Sequence, residues 1–193
     1  MVRLRIGLAY KDREHLNKFQ RAIGSDHKLV DNINKAPNGK KFKSSSLYVN
    51  STKMCKDLIN LGVDSTKIYN AQIPPISPGL VRHFLRGMFD GDGTISFYNN
   101  GVNFSFEISS ASRVFVEQLI EIFKKELDIN INNSVQIINP NEQNYNTTFY
   151  KIKVMNIEKN IKIYSYLFND SHIYLDRKYE RVKSFLSKYC PAA

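Results

Sequence analysis

The stretch LVRHFLRGMFDGDGTISFY, Leu80 to Tyr98, decides how the rest of the chain is read. An apolar-periodic segment runs straight into two aspartates separated by one glycine, and a strand pattern begins immediately afterwards. Ser77 is a good N-cap and Pro78 suits a first helical position, so a helix is expected from Pro78 to Asp90 or Gly91. Its stripe of Leu80, Val81, Phe84, Leu85, Met88 and Phe89 is wide enough to be buried on more than one side, which makes the helix central. Gly87 and Gly91 lie four apart on one face. A glycine inside a helix costs about 0.5 to 1 kcal/mol against alanine, and what such a face permits is the close approach of a second helix. Asp90 and Asp92 emerge at the C-terminal end, where the helix dipole disfavours negative charge, so a cation is expected beside them.

Outward from this stretch the chain repeats one order of elements. VRLRIGLA alternates like a strand, and Asp12 offers an N-cap for a helix with Leu16, Phe19 and Ile23 on one face, ended by Gly24. In the second half NFSFEIS alternates, with Phe104, Phe106 and Ile108 on one face. Ser112 then caps a helix striped by Val116, Leu119, Ile120, Phe123 and Leu127. Each helix is followed by a polar turn-rich segment, a strand (SSLYVN or TFYKIKVM) and a further helix capped by Asn50 or Ser51, or by Asn156. NAQIPPISPG joins the halves and carries three of the six prolines. The expected division is residues 1–75 and 76–193.

Composition sets the frame for function. The 193 residues are 42% hydrophobic and 12% aromatic, enough for a packed core. Lysine plus arginine outnumber aspartate plus glutamate by 28 to 18, a formal charge of +10, which points to a polyanionic partner, nucleic acid first. No apolar run approaches the roughly 18 residues of a spanning helix, and MVRLRIGLAYKDREHL lacks the apolar region of a signal peptide. An intracellular protein with no membrane partner is expected. Cys55 and Cys190 have no histidine at metal-ligand spacing, and His15, His27, His83 and His172 form no constellation. All are read as ordinary structural or surface residues.

LRGMFDGDG, Leu85 to Gly93, resembles the nine-residue signature of the LAGLIDADG homing endonucleases at both aspartates and at the first and last glycines. The duplicated element order resembles the same family over essentially the whole chain. GVDSTK and YLDRK resemble the segment that ends each half with a lysine near the active site, here Lys67 and Lys178. The resemblance implies an α+β fold of two pseudo-symmetric αββαββα halves with curved antiparallel sheets that lie in a DNA major groove. It implies two signature helices packed through small residues, each delivering one acidic residue, matched here to Asp92, to divalent metals between them. The implied activity is sequence-specific endonucleolytic cleavage of double-stranded DNA with Mg²⁺, or another divalent cation such as Mn²⁺. Asp92, Lys178 and Lys67 would be catalytic, and the Gly91 carbonyl would be an additional metal ligand. Asp90 is assigned to helix termination and the turn. A carboxylate-held cation suits phosphodiester hydrolysis because it neutralises charge at the scissile oxygen and activates water.

The chain departs from that pattern in its first half. Twenty residues separate Asp92 from the cap Ser112, whereas the matching cap of the first half is Asp12. A partner aspartate would therefore belong about eight residues before Met1, and the first half lacks its first helix and strand. Three explanations stay open: an upstream segment supplies the second helix, a second chain supplies it, or the protein binds DNA without cleaving it, as a regulator or an intron-RNA maturase. An intein-borne domain is a further origin, although MVRL and CPAA offer neither a splicing nucleophile nor a His-Asn end. Two plainer readings of DGDGT are an Asp-Gly turn and a calcium loop, the latter with Gly101 where a bidentate glutamate is required. Base contacts are expected from Thr94, Ser96, Tyr98, Asn103, Ser105 and Glu107, opposite the apolar strand face, and from Arg3, Arg5 and Tyr10 in the first half. Lys35, Lys40, Lys41 and Lys43 are expected to grip phosphate. A merely hydrated sheet face and ordinary solvated charge are the plainer alternatives.

Overall fold

The computed structural model describes residues 2–63, 68–131, 135–139 and 147–189. The chain forms two compact units, Met1–Leu61 and Gly62–Ala193. The proline-bearing joint packs with the second unit: the backbone N–H of Ile73 donates to Gln118 at 2.9 Å, and the Ser112 hydroxyl donates to the Ala71 carbonyl at 2.7 Å.

The first unit runs β1 (Leu4–Ala9), α1 (Arg13–Ala22), β2 (Val30–Lys35), β3 (Lys41–Val49) and α2 (Thr52–Asn60). Its antiparallel sheet has the order β1-β3-β2. Leu4, Ile6 and Leu8 alternate toward α1 and pack around Leu16, Leu47 and Val49. Ser51 caps α2 by accepting from the Met54 N–H. Asp12 stands at the N-cap of α1 but makes no side-chain cap bond, because a 3-10 turn over Tyr10–Asp12 precedes the helix and leaves Asp12 buried.

The second unit runs α3 (Pro78–Asp92), β4 (Thr94–Tyr98), β5 (Asn103–Ser110), α4 (Arg113–Leu127), β6 (Val135–Ile138), β7 (Phe149–Val154), α5 (Ile157–Phe168) and α6 (Asp176–Tyr189). The sheet order is β4-β5-β7-β6, all antiparallel. Stripped of α3, β4 and α6, this unit repeats the element order and strand order of the first. The protein is thus an α+β fold of two αββαββα-type halves, and the described residues of the first half contain no counterpart of α3 or β4.

Alternation decides which face of the second sheet is buried. Ile95, Phe104, Phe106, Ile108, Ile152 and Val154 meet Leu85 and Phe89 of α3, Phe115, Leu119 and Phe123 of α4, Ile163 and Leu167 of α5, and Phe185 of α6. Phe89 stacks on Phe106 with ring centroids 4.8 Å apart. Each fully buried side chain of this kind contributes about 1.5 to 3 kcal/mol. Ser112 and Asn156 accept cap bonds from the N–H groups of Phe115 and Lys159. The β4–β5 hairpin turns through Asn99, Asn100 and Gly101, all at positive φ, where asparagine and glycine are tolerated best.

Two expectations need correction. The polar segment after each first helix contains a strand, β2 in one unit and β6 in the other. Both are edge strands, and VDNINK is too polar for the period-2 pattern to stand out. Helix α3 also continues to Asp92, past Asp90 and Gly91, because the Gly93 N–H still donates to the Phe89 carbonyl at 2.9 Å.

Candidate active site and polar sheet faces

The end of α3 is built by two helices that hold each other. The ammonium of Lys178, in the first turn of α6, donates to the carbonyls of Phe89 at 2.6 Å, Asp90 at 2.8 Å and Gly93 at 2.6 Å. Those of Phe89 and Asp90 belong to the last turn of the helix, where carbonyls run short of backbone donors, although that of Phe89 also accepts from the Gly93 N–H. In return, Asp90 Oδ2 accepts from the Leu175 N–H at 3.1 Å, just ahead of α6. Lys178 is only 6% exposed. The cation expected at the foot of α3 is therefore this lysine, which answers the helix dipole and the carbonyls of the last turn.

Two further residues tie α3 down. Arg86, also buried, donates to the carbonyls of Ile173 and Leu167 at 2.8 and 3.0 Å, and its other contact is His83 Nδ1 at 2.8 Å. Burial, opposed by the Asp90 charge, lowers the Arg86 pKa, and burial with the nearby Arg86 charge lowers that of His83. Gly93 admits no Cβ, which would stand 2.1 Å from the Phe89 ring.

Asp90 and Asp92, two residues apart, meet opposite environments. Asp90 is 6% exposed, and burial pushes its carboxyl up to about 6 against the lowering pull of the Leu175 N–H, Lys178 and Arg86. Asp92 is exposed, as are Gly87 and Gly91. A Cβ added at either glycine would meet nothing within 4 Å. The exposed carboxylate thus stands at the end of a glycine-faced helix surface with open space over it. Among the described residues no group of three metal-ligating His, Cys, Asp or Glu side chains occurs. Asp92 and the Gly91 carbonyl fit one side of a divalent-cation site and need a further carboxylate to complete it. Lys67 lies outside the described residues.

The polar face of the second sheet carries Thr94, Ser96, Tyr98, Asn103, Ser105 and Glu107, as alternation requires. Thr94 is exposed, whereas Ser105 is fully buried and donates to Glu107 at 2.9 Å. Glu107 also accepts from Lys153 at 3.0 Å and lies 3.6 Å from Lys151. Burial pushes the Glu107 carboxyl up, but the bonds from Lys153 and Ser105 outweigh it and hold the pKa below the ordinary value. The Tyr98 hydroxyl donates to the Met155 carbonyl at 2.5 Å. Lys151 and Lys153 are the residues that sequence reasoning missed on this face. The signal was available: in KIKV they alternate with the core positions Ile152 and Val154.

The polar face of the first sheet holds Arg3, Arg5, Ser44, Ser46 and Tyr48. The Arg3 and Arg5 guanidinium groups lie 5.4 and 5.8 Å from the Tyr48 ring centroid, and each has a hydrogen-bond partner, Asn50 Oδ1 and Ser46 Oγ. Lys35, Lys41 and Lys43 are not on this face. Register pairs Lys35 with Lys41 and Ile33 with Lys43, so their side chains leave from the α1 side. Tyr10 lies in the 3-10 turn, with Lys43 Nζ 3.5 Å from its ring centroid, and Lys40 is exposed in the β2–β3 turn. Among the described residues no helix is long and apolar enough to cross a membrane.

Comparison with known proteins bears on this architecture. An uncharacterized protein of Methanocaldococcus jannaschii, MJ1054, is 28% identical over 130 residues, which are 62% of this chain and 13% of that protein. The chain therefore spans only a small part of that relative's length. Among solved structures, the homing endonuclease I-WcaI bound to its DNA recognition sequence is similar in fold, with a TM-score of 0.59 at 17% identity over 92% of this chain and 74% of that one. Residues 79–166 match the family model of the LAGLIDADG-like domain. The signature helix, its glycine face and the second sheet all fall within or beside that match, so residues 79–166 are similar to a LAGLIDADG-like domain and the chain shares the fold of a homing endonuclease.

Proposed function

We propose that the protein is a double-stranded DNA endonuclease in which Asp92, with the Gly91 carbonyl, holds a divalent cation, Mg²⁺ or Mn²⁺. The observation that carries this reading is the pairing of an exposed carboxylate with an open glycine face at the end of a rigidly held helix. A second helix of the same kind, from another chain or another segment, would pack on Gly87 and Gly91 and add the missing carboxylate. A cation bound between the two would neutralise charge on the scissile phosphate and lower the pKa of a bound water. Asp92 then serves as ligand and Asp90 keeps α3 and α6 docked. Residues of the polar sheet faces, with Arg3, Arg5 and Thr94 foremost, meet the duplex, and Lys40, exposed in the β2–β3 turn, meets its phosphates, whereas Lys35, Lys41 and Lys43 leave from the opposite side of the sheet. The fold likeness to a DNA-bound homing endonuclease supports that partner.

The test is Asp92→Asn, which keeps shape and removes charge. In a complete assembly, Mg²⁺-dependent cleavage should fall by orders of magnitude while duplex binding is kept. Cleavage at the wild-type rate would remove Asp92 from the metal site. A second reading is DNA binding or intron-RNA maturation without cleavage, since among the described residues no group of three metal-ligating side chains accompanies Asp92. It wins if no assembly of the chain, with Mg²⁺ or Mn²⁺, cuts any duplex that it binds.

A further inference from the structure

We propose that Lys178 is a positioning residue: it clamps the backbone on both sides of Asp92 and fixes where that carboxylate points, and it does not itself act on the phosphate. The inference rests on the reading of Asp92 as a metal ligand.

An ammonium has three N–H donors, and only the protonated amine has three. Lys178 spends them on three carbonyls within 2.8 Å, those of Phe89, Asp90 and Gly93. Two lie before Asp92 in the chain and one after it. The group is also buried, and its charge faces the negative end of α3, where a cation is held most firmly. A lysine that polarised water or steadied a phosphate would have to give up one of these buried bonds, and the Phe89 carbonyl alone among the three is seen to have a second donor, the Gly93 N–H.

The geometry around Asp92 follows from the clamp. With the three carbonyls turned inward to one Nζ, the turn from α3 to β4 has a single arrangement. In it Asp90 faces Leu175 and Asp92 faces solvent. The lack of room for a Cβ at Gly93 locks the same turn from the other side. The Asp90 bond to Leu175 fixes the start of α6, so that Lys178 is itself held in register. α6 thereby serves the site without contributing a group to the chemistry.

The wild-type protein gives the first test. Nitrogen-15 NMR at neutral pH should show a slowly exchanging ammonium signal for Lys178, unmoved by added Mg²⁺. A signal exchanging as fast as those of surface lysines overturns the proposal. Lys178→Met keeps the stem and removes the donors. Amide exchange at Gly91, Asp92 and Gly93 should rise about 100-fold while Ile152, in the central strand β7, changes by less than about threefold. Mn²⁺-induced broadening at Asp92 should require about tenfold more metal. Lys178→Arg, which keeps the charge but cannot place three donors on the same three points, should recover part of both effects, and it carries the test if the methionine variant does not fold. Unchanged exchange and unchanged Mn²⁺ broadening in the variants overturn the clamp. If instead Asp92→Asn leaves the Mn²⁺ broadening intact, the metal reading fails while the exchange results still judge the clamp.

Discussion

Replacing Asp90 by asparagine should flatten the pH dependence of the second unit's stability. The buried carboxyl is raised from its ordinary 3.8 to about 6, because burial outweighs the Leu175 N–H and the nearby Lys178 and Arg86 charges. A raised carboxyl pKa means that the folded state binds the proton more tightly than the unfolded one. The associated stability is therefore fully present below about pH 3.8 and is lost as the pH rises through about 6. The displacement is worth about 3 kcal/mol, a large share of a domain's net stability. Asparagine keeps an oxygen for Leu175 and cannot ionise. Wild type should thus lose about 2.5 kcal/mol relative to Asp90→Asn between pH 4 and pH 7, with little change above. Any fixed offset from the new amide beside Arg86 and Lys178 cancels in that comparison. Urea unfolding followed by circular dichroism at pH 4.5, 6 and 7.5, without divalent cations, reads the difference. A difference constant to within about 0.5 kcal/mol, or one that grows toward acid, would falsify the burial account of Asp90.

Three other outcomes follow from the same geometry. Gly87→Leu, which meets open space, should change stability by less than about 1 kcal/mol, yet block close approach of a second helix. Light scattering should then show any dimer weakened, and an unaffected dimer would remove this face from the interface. Gly93→Ala should cost about 2 to 3 kcal/mol in denaturant unfolding, since its Cβ would overlap the Phe89 ring. A neutral result would mean that the turn relaxes freely. Duplex binding should weaken with salt at a log-log slope near −5 if about six phosphates are contacted, and a slope near zero in a salt titration would remove nucleic acid as the partner.

Much of this protein could be read from residue order alone, because the relevant forces are local. Apolar period announced α3, and capping chemistry announced α4 and α5: Ser112 and Asn156 cap where they were expected to, whereas Ser77 makes no side-chain cap bond to α3. The nine residues from Leu85 to Gly93 pointed to the LAGLIDADG-like domain that residues 79–166 match. Strand parity put Thr94, Ser96 and Tyr98 opposite the core. Edge strands were harder. Neither VDNINK nor VQII buries enough on one face to betray its period, and each is a strand because a neighbour supplies its hydrogen bonds.

Only tertiary structure could separate the two aspartates. In sequence Asp90 and Asp92 differ by two positions in a glycine-rich turn. In space one is sealed against Leu175 beneath α6 and the other stands in solvent, because residues on a helix two apart point away from each other. The same holds for Lys178. Its sequence neighbourhood marked a lysine near the site, but three carbonyl bonds to residues 85 to 89 positions away are set by how α6 crosses the end of α3. Charge count likewise foretold a basic protein but not that Lys35, Lys41 and Lys43 leave the first sheet on the opposite side from Arg3 and Arg5. Local propensity determines which elements form. Which side chains meet is settled by long-range packing, whose partners lie tens of residues apart and leave no period in the sequence.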